Sequence, residues 1–136
     1  YAFSTLPAVG LLVAGIIVHE LLHGVGFRYF AGVPWRDVRF GIHLKYLVPY
    51  ATTQVPMTIG AYRGATMLPG ILTGVLPLAV GLIQGNPGWT LFGIVLLGGA
   101  GGDALILWYV RSVPAGTVVR DSATLVGCEI IDQSGI

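Results

Sequence analysis

His19-Glu20-Leu21-Leu22-His23 places three ionisable side chains inside a stretch, residues 6–30, that is otherwise largely apolar. This is an HExxH pattern. In a helix, the i to i+4 spacing puts His19 and His23 on one face about one turn apart, so two imidazoles can grip one metal ion. In metallohydrolases with this pattern the ion is Zn²⁺, and the Glu between the two ligands, here Glu20, is the base that accepts a proton from water. On a soluble helix the same residues could be ordinary exposed polar groups. At the centre of a membrane helix a charge costs about 2.5 to 3.5 kcal/mol, so such residues have a partner or a function. A polar patch that holds helices together explains one buried His more readily than a His, a Glu and a His in one turn.

The rest of the chain supports a membrane setting. Charged residues make up 10% of the 136 residues and hydrophobic ones 54%, against about 25% charged in soluble domains. The chain begins at Tyr1 rather than Met, which leaves room for a further span before it. The apolar start is too long, and carries too much chemistry, for a cleaved signal peptide. Cys128 is the single cysteine, which excludes an internal disulfide and a zinc site built on cysteines.

The expected fold is membrane α-helical, with three transmembrane helices and a small cytoplasmic β-hairpin or sheet, in one domain over residues 1–136. The first span covers about residues 5–30, with Ser4 or Thr5 as N-cap and Pro7 in the first turn. Residues 64–102 carry no charge and are long enough for two spans. Gln84-Gly85-Asn86-Pro87-Gly88 divides them into residues 64–84, with a bend expected at Pro69 or Pro77, and 89–110. The seven Lys and Arg residues cluster from Arg28 to Arg63 and after the third span, and none lies in the loop at residues 84–88. This one-sided distribution makes residues 31–63 and the C-terminus cytoplasmic. A net charge of +1 gives no case for nucleic acid, so the expected surroundings are a lipid bilayer.

Asp103 is the second charged intruder. It lies about 14 residues from the outer end of the third span, as His19 does in the first, so in regular helices both are ~21 Å in. A tetrahedral zinc with an open position for water needs a third protein ligand, and Asp103 meets that need. Gly98-Gly99-Ala100-Gly101-Gly102 before it, with Gly15 and Gly26 on the first helix, is expected to let backbones come close. His43 is the weaker alternative ligand, since Val38 to Lys45 alternates with period two and puts Arg39, His43 and Lys45 on a solvent-facing side. Asp37, Asp121, Glu129 and Asp132 read as solvated surface.

Residues 31–63 are too many for an idle loop. Alternation from Val38 onward, a turn near Leu44 to Tyr46 and a second extended piece over residues 48–54 predict a β-hairpin within about residues 37–55. Its edge is a candidate clamp that would hold an unwound substrate segment open, or else simply part of a structural sheet. Extended pieces within about residues 117–132 are expected to add strands to the same sheet.

HELLHG at His19 to Gly24, FGIHLKYLVPY at Phe40 to Tyr50, LPG at Leu68 to Gly70 and GGAGGDALIL at Gly98 to Leu107 resemble, in that order, a family of zincin peptidases of prokaryotic membrane proteins, first catalogued as a domain of unknown function. The resemblance covers nearly the whole chain. It implies a zinc-dependent peptidase of a prokaryotic cell membrane, related in layout to the site-2 proteases, that acts on a membrane-protein or peptide substrate in or beside the bilayer. Carried over by position, His19, His23 and Asp103 match the metal ligands, with one Zn²⁺ per chain, and Glu20 matches the catalytic acid/base. Site-2 proteases commonly carry their ligand Asp in an Asn-Pro-Asp-Gly type motif, whereas Asn86-Pro87-Gly88 has no Asp and reads as a turn. Two other classes stay open: an inactive metal-binding membrane scaffold, and a metal-ion transporter using His19, His23 and Asp103 as transit ligands. The scaffold has no need of Glu20, and the transporter needs polar residues along a first span that has only Ser4 and Thr5 before His19.

Overall fold

The computed structural model describes residues 5–122, 124 and 126–131. Ser4, a candidate N-cap, and Asp132, one of the expected surface carboxylates, lie outside the described residues. Helix α1 (Thr5–Ala31) matches the first expected span. It ends where Gly32 takes a left-handed φ of +67° and the N–H of Val33 folds back onto the carbonyl of Phe27 at 3.2 Å. Pro34 then prevents any continuation.

The second apolar rod runs over Ile59–Gln84, beginning at residue 59 rather than 64. Thr58 caps its start by accepting the N–H of Ala61 at 3.3 Å. It comprises α2 (Ile59–Pro69), a π-helical turn (Gly70–Val75) and α3 (Leu76–Gln84). Arg63, expected as a flanking charge, is therefore inside a helix. Its guanidinium donates to the carbonyl of Val110 and, at 2.7 Å, to that of Val113, where a helix end leaves carbonyls without donors.

Gly85, with φ +62°, closes α3. Asn86 Oδ1 then accepts the N–H groups of Gly88 and Trp89 at 3.0 and 3.2 Å, starting α4 (Pro87–Gly99). The expected third span is not one straight helix, because α4 and α5 (Gly101–Tyr109) meet at Ala100 with a bend of 44°. Among the described residues, two helices are thus long and apolar enough to cross a membrane, or three if the bent pair counts as one.

The glycines around the bend are not the packing seam the sequence suggested. A Cβ at Gly98, Gly99, Gly101 or Gly102 would meet nothing within 4 Å. They coincide with the bend, where each Gly weakens the helix by about 1 kcal/mol relative to Ala. The expected close approach holds at the two glycines of the first helix. A Cβ at Gly26 would stand 2.6 Å from the Cα of Ala65, and one at Gly15 would stand 2.7 Å from Leu96.

Strands β1 (Val38–His43) and β2 (Val48–Thr53) form the expected antiparallel hairpin, with Val38 opposite Thr53 and His43 opposite Val48. Phe40 and Val38 lie over Gly24, and the backbone of Ala51 reaches Glu20. The hairpin therefore runs back alongside α1 instead of standing off beyond its end. The tail strands do not join it. Strands β4 (Val118–Asp121) and β5 (Cys128–Ile130) build a separate antiparallel sheet with the short β3 (Met57–Thr58), in the order β3-β4-β5.

Ile59, Val33, Val119, Phe27 and Tyr62 form the main buried cluster, where the sheets meet the ends of α1 and α2. Farther along the helices, Val9, Val13, Ile17, Leu91 and Ile94 are exposed. So much outward apolar surface on long apolar helices marks a membrane protein.

Candidate metal centre

The 3.6-residue period of α1 stacks His19 and His23, whose rings meet edge to face with centroids 5.2 Å apart. His19 is buried. Ligand-capable atoms of His19, Glu20 and His23 all lie within 4.8 Å of one another. Asp103, in the first turn of α5, brings Oδ2 to 3.0 Å from His19 Nε2 and 3.5 Å from His23 Nε2. The bend at Ala100 does not separate it from the two imidazoles.

The other ring nitrogens are engaged by the second rod. His23 Nδ1 lies 3.2 Å from the carbonyl oxygen of Ala65. A carbonyl can only accept, so Nδ1 carries the proton. His19 Nδ1 lies 3.1 Å from Thr73 Oγ1, which itself donates to the carbonyl of Pro69 at 2.8 Å. The Thr73 hydroxyl proton is thereby committed, and His19 Nδ1 is again the donor.

With Nδ1 of each ring engaged as a donor, the Nε2 atoms of both rings face the Asp103 carboxylate, and an imidazole that gives up its Nε2 proton presents a lone pair there. That donor set suits a divalent cation. Zinc ligands at ordinary bond lengths and tetrahedral angles stand about 3.3 Å apart, between the two observed separations. Partners on Nδ1 that fix tautomer and ring orientation are the usual companions of metal-binding His.

Glu20 and His23 line a cavity of about 590 Å³ together with Asp103, β2 and the tail. His43, the alternative ligand, lines it too, but its ring is exposed and lies against Tyr50 with centroids 4.7 Å apart. It does not join the His19 cluster.

Three participants escaped the sequence reading. Thr73 and Ala65 orient the two imidazoles, and the available signal was a Thr four residues beyond Pro69 in an apolar rod. Asp121, expected as solvated surface, instead lines the cavity and accepts from Thr52 Oγ1 at 2.5 Å and from the Tyr62 hydroxyl at 3.4 Å. Burial pushes its carboxyl above the ordinary carboxylate range and, with Asp121 near, also pushes the Cys128 thiol up. Asp37 and Glu129 pair at the surface with Arg36 and Arg120, as solvated groups do.

No curated protein and no solved structure matches the chain. Residues 12–118 match the family model described as "Putative zincin peptidase", and the chain belongs to that family, whose description implies a zinc metallopeptidase.

Proposed function

We propose that this chain is a membrane-embedded zinc peptidase, of the general layout of site-2 proteases, that hydrolyses peptide bonds of a membrane-protein or peptide substrate in or beside the bilayer. The observation that carries the reading is the convergence of His19 Nε2, His23 Nε2 and Asp103 Oδ2 beside a cavity that Glu20 also lines. His19, His23 and Asp103 would hold one Zn²⁺. Asp103 is preferred to Glu20 as third ligand because one of its oxygens faces both Nε2 atoms. When bound, zinc supplies a Lewis acid that acidifies water and polarises a carbonyl.

Glu20 accepts the proton of the attacking water and returns it to the leaving amine. Its place on the cavity wall suits that role, because water and an extended peptide can both reach it. His19 and His23 stay neutral donors, held by Thr73 and Ala65. Asp103 contributes the negative charge that two imidazoles lack. The face that carries the hairpin and the C-terminus is cytoplasmic, in keeping with the one-sided Lys and Arg.

Amide substitutions separate the roles. Glu20→Gln keeps its zinc and loses at least about a hundredfold in cleavage. Asp103→Asn weakens zinc binding itself, releasing the metal to a mild chelator. Elemental analysis reads the metal, and a proteome-wide comparison of membrane-protein fragments in cells with wild type or Glu20→Gln reads the cleavage. Tight zinc and normal turnover in Asp103→Asn would move the third ligand elsewhere. Identical fragments with wild type and Glu20→Gln would favour the inactive scaffold.

A further inference from the structure

Asp121 stands on the wall of the same cavity as Glu20, His23 and Asp103, close enough to His23 for their charges to interact. Several contacts hold it in place, that of the backbone N–H of Thr53 among them. Its carboxylate accepts from Thr52 on β2 and Tyr62 on α2, and its carbonyl accepts from Gln54 Nε2 at 3.4 Å.

What it lacks is a cation. Among the described residues no Lys or Arg lies within 4.0 Å of its carboxylate, and Arg120 beside it in the chain turns to Glu129 at 3.3 Å. Arg39 lines the cavity and stands in register with Thr52, yet it forms no ion pair among the described residues. An ionised carboxylate has about four acceptor directions, and the Thr52 and Tyr62 hydroxyls with the backbone N–H of Thr53 do not fill them all. A half-buried anion with no cation beside it is costly, and burial has indeed pushed its carboxyl up. A cation entering the cavity would offset that cost.

We propose that Asp121 is a specificity-determining subsite that binds a Lys or Arg side chain of the substrate near the bond to be cut. This rests on the peptidase reading above. Cytoplasmic segments flanking a membrane helix are enriched in Lys and Arg. The substrate class that fits is therefore the basic juxtamembrane segment of a membrane protein, presented extended to the cavity.

The test measures binding without turnover. Zinc-loaded Glu20→Gln protein in phosphatidylcholine nanodiscs is titrated with fluorescent apolar peptides, each carrying one Arg at a different position, and with a matched set carrying citrulline. At one or two positions the Arg peptide binds about tenfold or more tightly than its citrulline match. Adding Asp121→Asn brings that ratio to about one and leaves the citrulline affinity unchanged, and adding Asp121→Glu instead restores a preference for Arg. Equal affinity of the two sets for the Glu20→Gln protein, including no binding of either, overturns the proposal without any further variant. So does an undiminished preference in Asp121→Asn. The same peptides given to wild type keep the two readings apart. An intact Arg preference with no cleavage would sink the peptidase and leave the subsite, and equal cleavage of both sets would sink the subsite alone.

Discussion

Pro69 stands one helical turn beyond Ala65 and has no N–H to give its carbonyl, so the oxygen that a helix would otherwise occupy is free to accept His23 Nδ1 at 3.2 Å. The next N–H, that of Gly70, goes to Met67. The proline thus does more than disturb the rod. It exposes an acceptor at the level where an imidazole needs one, and the π-helical turn that follows carries Thr73, whose hydroxyl oxygen accepts the Nδ1–H of His19.

Pro69→Ala should restore the competing N–H and loosen His23. The expected result is a loss of about ten- to a hundredfold in zinc affinity, the usual effect of removing a partner behind a metal-binding His. Thr73→Val should act likewise through His19. Chelator competition on the purified variants checks both, and unchanged affinity in both would mean that these bonds do not orient the rings.

Gly26→Val should separate α1 from α2, because a side chain there runs into the backbone of Ala65. Overpacking of this kind costs about 1 to 3 kcal/mol, and since Ala65 also holds His23, zinc occupancy should fall with the melting temperature. Gly98→Ala, which meets nothing within 4 Å, should melt at or above the wild-type temperature. Thermal melting in detergent, with zinc content measured alongside, distinguishes a packing seam at Gly26 from an indifferent surface. Equal melting of the two variants would refute it.

The Asp121 carboxyl is raised by burial, which fixes the sign of a pH effect. Its neutral form is the one the fold favours, so its contribution to stability is fully present below the ordinary Asp value of about 3.9. That contribution is lost as pH rises through the folded value. Asn is neutral throughout. The melting temperature of Asp121→Asn should therefore gain on wild type between about pH 3.5 and 7, whatever constant offset the lost hydrogen bonds impose. A gap that moves the other way would mean that the fold stabilises the anion.

Orientation is open to labelling, although Cys128 is a poor reporter because burial raises its thiol pKa. In a Cys128→Ser background, Leu44→Cys at the hairpin turn and Ile83→Cys near the loop at residues 84–88 are both highly exposed, at 84% and 85%. An impermeant thiol reagent on intact cells should label Ile83→Cys and spare Leu44→Cys. The reverse pattern would invert the chain.

The parts legible in the sequence were those decided locally. The i to i+4 pair, the charge-free run into α1, the break at residues 84–88 and the alternation of β1 each depend on neighbours within a few residues. Asp103 was reached because few roles suit a carboxylate in an apolar span. Thr73 and Ala65 were not, since their value lies in partners on another helix, 54 and 42 residues away in the chain. Asp121 looked like surface because nothing in a polar tail announces that it folds back over a cavity. The run from Gly98 to Gly102 misled because weak helix propensity serves a bend and a close packing seam equally well.

The carboxylate that faces both imidazoles enters the chain 84 residues after His19. Synthesis runs from the N-terminus, so α1 reaches the bilayer with its two His and its Glu before any of their partners exists. Ala65 and Thr73 arrive with the second rod, and Asp103 comes last, behind the bend at Ala100. On the peptidase reading proposed above, a nascent or stalled chain would therefore hold His19, Glu20 and His23 but not the carboxylate that frees Glu20 from ligation to serve as base, and it would not attack the membrane proteins being inserted around it. Hydrolytic competence would become a sign that insertion is complete, a safeguard arising from the order of residues alone.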